Sequence, residues 1–221
     1  MVEIQTYLFI FQKKLEQLFG EKLFFFGIQG SYARGEATED SDIDVVVIVE
    51  ELTASLLLDY KKMIDSLPFR QKLCGFVSGR EELFHWTPWE LFQFYYDTKP
   101  ILGTLDDLLA LITKDDIKQA VHNSACNIYH SCCHNILHEN STEILKSLYK
   151  SCVFLLQAKS FLQTGYYSKT KKELETVLSQ EDASIIAISQ RPYEITKQRL
   201  EELSFLLLQW SSAIITDESF S

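Results

Sequence analysis

The sequence predicts two domains: a small α/β (α+β) domain over residues 1–112 and an all-α helical bundle over residues 113–221. Three observations carry this reading. Seven of the eight glycines and three of the four prolines fall within residues 1–103, after which only Gly165 and Pro192 interrupt the chain. Gly and Pro punctuate short elements, so their loss signals long helices. Two apolar runs, Leu23–Ile28 and Val45–Val49, read as strands around a polar, turn-rich segment. Beyond Thr113, Ser, Thr or Asn repeatedly stands three residues before Asp or Glu, a helix-start pattern.

In chain order, Ile4, Tyr7, Leu8, Phe11, Leu15, Leu18 and Phe19 recur at helical spacing, and Gly20 stops that helix. Lys22–Gln29 is the first strand, and a short helix follows Gly30-Ser31. Ser41–Val49 is the second strand; it is apolar on both faces beyond its aspartates, which predicts a central position covered on both sides. Leu52–Leu67 reads as a helix stopped by Pro68, and Lys72–Ser78 as a third strand. Two further helical segments, Gly79–Trp86 and Pro88–Tyr96, lead into an extended connection over Asp97–Gly103. A boundary near Leu111–Thr113 follows. Thr113 then opens a helix to about His138, Asn140 one to Gln163, Thr170 a short one, Ser179 another, and Pro192 the last, through about Ile215. Short links between these helices predict an antiparallel bundle.

The chemistry-bearing stretch runs from Gly30 to Asp44. A Gly30-Ser31 pair ends the first strand, and after ten residues Asp42-Ile43-Asp44 opens the second. On a strand, residues i and i+2 share a face with Cα atoms roughly 6.6 Å apart, so Asp42 and Asp44 point the same way. Two carboxylates at a strand end beside a glycine turn suit hard cations and a nucleoside triphosphate. An acidic loop capping an ordinary strand is the plainer reading of Glu36–Asp44, and the strand ending in Gly-Ser argues against it.

The stretch resembles the signature of the DNA polymerase β-type nucleotidyltransferase superfamily. With the helical second half, the arrangement resembles the aminoglycoside nucleotidyltransferases. The resemblance implies a catalytic domain with a small mixed sheet. It implies that Asp42 and Asp44 hold two Mg²⁺ ions and that Gly30 and Ser31 hold the triphosphate. It also implies transfer of a nucleoside monophosphate, AMP from ATP, to a hydroxyl of a small molecule or a protein. Arg34 could add a charge contact, or could simply pair with Glu36 or Glu39. The segment Leu162–Leu174 resembles the turn from which bundle lysines of that family approach the nucleotide. Among Lys169, Lys171 and Lys172 it points to Lys171, against the alternative of a solvated helix start.

The resemblance also implies a third carboxylate on the next strand, as metal ligand or base. That strand, Arg70–Ser78, contains no Asp or Glu. A base from elsewhere, a glutamate of the helical domain, or weakened catalysis would follow. Glu139 and the face formed by His130, His134 and His138 are candidates for that base. The rival to an enzyme is a nucleotide-binding regulatory or antitoxin-like protein with a decayed site.

The net charge of −10 argues against general nucleic-acid binding, which needs a basic footprint. The acidity is uneven, with 10 Lys and Arg against 18 Asp and Glu in residues 1–112 and 11 against 13 thereafter. No apolar run approaches the roughly 18 residues of a membrane span. The start lacks a basic segment followed by an apolar one, so no signal peptide is expected. Five cysteines, an odd number, suit reduced thiols and a cytoplasmic protein. His122, Cys126, His130, His134 and His138 align along one helix face, and a polar seam is preferred there over a Zn²⁺ site because no acidic third ligand accompanies it. Trp86, Trp89, Phe92, Tyr95 and Tyr96 read mostly as core, and the last helix as bundle core or a homodimer face.

Overall fold

The computed structural model describes residues 2–220 and divides the chain into two compact units, residues 1–111 and 112–221.

The first unit is built on a four-stranded mixed sheet of order β3-β2-β1-β4. Strands β1 (Leu23–Gln29) and β2 (Ile43–Val49) are antiparallel, with Gln29 opposite Asp44. Strand β3 (Leu73–Gly79) runs parallel to β2, with Cys74 level with Asp44 and Phe76 level with Val46. The segment expected as an extended connection contains a fourth strand instead, β4 (Lys99–Leu102), antiparallel to β1. It occupies an edge, where Pro100 costs the sheet no internal hydrogen bond.

Alternation along the strands sorts the sheet into two faces. Val45, Val47, Val49, Phe26 and Ile28 belong to one core with helix α1 (Ile4–Phe19) and Tyr60 of α3 (Ala54–Asp65). Within it the rings of Phe11 and Phe26 stack, with centroids 5.4 Å apart. Asp44, Val46 and Ile48 share the opposite face with Cys74 and Phe76, where α4 (Arg80–Phe84) and α5 (Pro88–Asp97) lie. There the ring of Phe94 meets that of Phe76. All of Ile43 and Val45–Val49 is buried, as a central strand requires.

Helix α3 is shorter than its pattern suggested. Thr53 caps its start through a bond from the Leu56 N–H, and the helix ends at Asp65 because Pro68 disfavours a helical backbone just before it.

In the second unit, α6 (Lys114–His134) starts with the expected capping box between Thr113 and Asp116 and continues into a π-turn over Asn135–Glu139. Helix α7 (Thr142–Thr164) is capped by Ser141, one residue later than expected, because Asn140 takes the left-handed conformation that closes the π-turn. Short α8 (Lys171–Glu175) has its capping box at Thr170 and Glu173, and α9 (Gln180–Gln190) is capped by Ser179. The last helix, α10 (Leu200–Ile215), begins eight residues after Pro192. Pro192 starts only a single 3₁₀ turn, since Ile195 is buried and Thr196 is extended.

Side-chain bonds tie these helices together. Tyr149 of α7 donates to the Leu203 carbonyl of α10. Buried Asp182 of α9 accepts from Lys159 of α7 at 2.8 Å and from the Trp210 indole of α10 at 2.9 Å. A buried ion satisfied on both oxygens is costly to break by removing one partner. Among the described residues, no helix is long and apolar enough to cross a membrane.

Candidate functional site

The site in the first unit starts from one glycine. Gly30 opens the five-residue helix α2 (Gly30–Arg34) directly after β1, with φ +67°. A Cβ at Gly30 would lie 2.2 Å from Oδ2 of Asp44. The absence of a side chain there therefore lets the second carboxylate of the Asp42/Asp44 pair lie against the turn. Left-handed backbone is disfavoured for residues with a Cβ, so conformation and close approach both require glycine. Asp44 is half-buried, whereas Asp42, just before β2, is exposed. Ser31 is the second residue of α2, and its carbonyl accepts the Glu36 N–H at 2.8 Å, which closes the turn.

Gln29, at the N-cap of α2, gives that helix no side-chain cap. Its amide turns instead to Thr98 Oγ1 at 2.7 Å and to the Phe94 carbonyl at 3.3 Å, which pins the end of α5 beside the turn. Asp97, the last residue of α5, accepts from the Gly30 N–H at 3.4 Å and from Arg34 at 2.7 Å. Arg34 also reaches Glu36 at 3.1 Å. Both Arg34 and Asp97 are well covered, with 19% and 13% of their side chains exposed, so the pair is screened less than a surface bridge. Burial alone would lower the Arg34 guanidinium, but Asp97 and Glu36 outweigh it and hold its pKa above the ordinary value. Arg34 is a fixed positive charge beside the turn, held by two acidic neighbours.

Gly30, Ser31, Arg34 and Asp44 are thus brought together, with Asp42 two residues from Asp44. Asp97 and Gln29 were not read from the sequence. Asp97 is 67 residues from Gly30, and no local pattern announces the contact. On β3 the position level with Asp44 belongs to Cys74, an exposed thiol. Among the described residues, no group of three or more His, Cys, Asp or Glu side chains is arranged to hold a metal.

In the second unit, Lys171 is the first residue of α8, preceded by a loop that buried residues anchor. Gln157 donates to the Ser168 carbonyl at 2.7 Å and accepts from the Tyr167 hydroxyl at 3.2 Å. His130, His134 and His138 are exposed. His134 lies 3.6 Å from Glu139, and its ring centroid is 4.9 Å from that of His138.

Comparison with known proteins agrees with this layout. The model of the nucleotidyltransferase domain family matches residues 10–130, more than half of the chain. A protein adenylyltransferase, MntA, from Thermococcus cleftensis is 38% identical over 66 residues, covering 29% of this chain. The match spans 65% of that relative, just under two thirds of its length. Among solved structures, the spectinomycin adenyltransferase AAD(9) from Enterococcus faecialis, determined with ATP and spectinomycin, superimposes with a TM-score of 0.52 at 15% identity. That match covers 92% of this chain and 98% of the other, and it shows a shared fold.

Proposed function

The chain belongs to the nucleotidyltransferase domain family, and from that premise we propose that it transfers an adenylyl group from ATP to a hydroxyl of a small molecule or a protein. The observation that carries the reading is the seating of Asp44 against Gly30, which sets a carboxylate beside the Gly30-Ser31 turn. The 38% identity to a protein adenylyltransferase supports AMP as the group transferred.

In the proposed reaction the acceptor oxygen forms a bond to the α-phosphorus of ATP. The bond from that phosphorus to the β-phosphate oxygen breaks, and pyrophosphate leaves. The acceptor proton passes to a base. The residues supply positioning and charge, the main demands of phosphoryl chemistry. Ser31 and the backbone N–H groups of α2 would hold phosphate oxygens. Arg34, kept charged and oriented by Asp97, would add a fixed positive charge beside them. Lys171 is the proposed further charge for the triphosphate tail.

Asp42 and Asp44 fit Mg²⁺, since two hard carboxylates leave the remaining positions for phosphate oxygens and water. Two Mg²⁺ ions there would offset the charge of the triphosphate and of the leaving pyrophosphate. Cys74, a soft ligand, does not complete such a set. A nucleotide-binding regulator with a decayed site is the second reading, and the thiol level with Asp44, on a strand without Asp or Glu, favours it. We further propose a cytoplasmic location and a homodimer; Leu203, Leu207, Trp210 and Ile214 of α10 are buried, so that face of the last helix is bundle core and not the dimer face.

Calorimetry with Mg-ATP tests the binding step. Asp42→Asn should weaken the Mg²⁺-dependent part of ATP affinity and leave the fold intact, because removing one of two like charges relieves repulsion. Equal Mg-ATP affinity in wild type and variant would remove Asp42 from the site.

A further inference from the structure

The link between α7 and α8 forms no regular element, yet each of its residues from 166 to 170 is tied to one of the two helices. The Tyr166 N–H donates to Thr164 Oγ1 at 3.1 Å. The Tyr167 hydroxyl donates to Gln157 Oε1 at 3.2 Å, and Gln157 Nε2 donates to the Ser168 carbonyl at 2.7 Å. The N–H groups of Lys169 and Thr170 both donate to Glu173 Oε2, at 2.9 and 3.4 Å. Lys171 follows directly as the first residue of α8. The middle of this chain of bonds is deeply buried, with Gln157, Tyr167 and Ser168 only 2%, 5% and 1% exposed. Glutamine is mostly a surface residue, and a buried amide is costly unless it is hydrogen-bonded. An apolar side chain at that position of α7 would fill the space without the cost. Gln157 instead turns both ends of its amide to the loop, so what it fixes is the path of the chain into Lys171.

We infer that Gln157 is a positioning residue for nucleotide recognition: by fixing the loop it sets where Lys171 stands, and so sets the preference for a triphosphate over a monophosphate. The inference rests on the proposed role of Lys171 at the triphosphate tail. A lysine ammonium is a point charge on a flexible stem, so its reach to a phosphate depends on where its backbone is held. Misplacing a contributing group by about 1 Å can cost about 10²-fold. Without the two Gln157 bonds the link is held only at its ends, by Thr164 and Glu173, and its middle has to be ordered again when the nucleotide binds. Gln157 acts through Lys171, on the tail of ATP and not on the adenosine or the first phosphate.

Calorimetric titration of Mg-ATP and of AMP into the wild type, Gln157→Leu, Lys171→Ala and the double variant separates positioning from plain structural support. Gln157→Leu keeps the bulk and removes both bonds, and should lower the ATP-to-AMP affinity ratio at least about fivefold. Added to Lys171→Ala it should lower the ratio no further, because the charge it positions is already gone. Where Gln157→Leu fails to fold, Tyr167→Phe, which removes only the hydroxyl bond, reads the same ratio and the same non-additivity. A merely structural role would weaken both nucleotides alike and leave the ratio as it was. An unchanged ratio in these variants while Lys171→Ala lowers it, or a further fall in the double variant, would overturn the inference and spare the role of Lys171. An unchanged ratio in Lys171→Ala would overturn both.

Discussion

Gly30→Ala adds one methyl group where conformation and space both refuse it. With φ at +67°, the backbone strain on alanine is roughly 1–2 kcal/mol. The new Cβ would also stand 2.2 Å from Asp44 Oδ2. Strand β2 is paired on both sides, so its backbone cannot retreat, and the Asp44 carboxylate has to swing away. Gly165→Ala is the control. Gly165 has φ +71° in the left-handed region with nothing within 4 Å of the added Cβ, so it carries backbone strain without the collision. Urea unfolding should show both variants destabilised by about 1–2 kcal/mol. Calorimetry should show Mg²⁺-dependent ATP binding retained in Gly165→Ala and lost in Gly30→Ala. Equal Mg-ATP affinity in the two variants would refute the claim that the turn is built to seat the Asp44 carboxylate.

Three further outcomes are expected. A double-mutant cycle on Arg34→Ala and Asp97→Asn, read by urea unfolding, should give a coupling of about 1 kcal/mol or more, and a value near zero would make the pair an ordinary surface bridge. Lys171→Ala should weaken ATP binding by about 1.5–3 kcal/mol while sparing AMP, and an unchanged ATP-to-AMP affinity ratio would return Lys171 to the solvated surface. Burial pushes the Cys132 thiol up to about 11 from 9.0, with Cys133 adding to the shift. The folded state therefore keeps a proton that the unfolded chain loses, and this contribution to stability is present below pH 9 and falls away towards 11. Urea midpoints measured from pH 8 to 11 should show a smaller alkaline decline in Cys132→Ala than in wild type, and equal declines would contradict the assignment.

The layout of the Gly30–Asp44 stretch is legible because it is local: a strand, a turn and a second strand within a short span of sequence. Capping boxes at Thr113 and Thr170 were legible for the same reason. What escaped depends on distant partners. Lys99–Leu102 becomes a strand only because β1 has an edge left to pair. Asp97 reaches the turn only because α5 is folded back across the sheet and held there by Gln29. The carboxylate-free third strand could be read from composition, but only the register shows that Cys74 is the residue level with Asp44. Asn140 matched a helix-start pattern and instead closes a π-turn, because Asn135 grips both backbone groups of Ser141.

The central claim is adenylyl transfer through the Asp42/Asp44 pair. Its most direct test is pyrophosphate release from Mg-ATP across a panel of aminoglycosides, other hydroxylated metabolites and cell-lysate proteins. A general base contributes roughly 10²–10⁴-fold, so even without the expected third carboxylate turnover should be slow rather than absent. Acceptor-dependent release by the wild type that vanishes in Asp44→Ala is the predicted result. ATP binding with no release from any acceptor would contradict the transferase reading and leave a nucleotide-binding regulator.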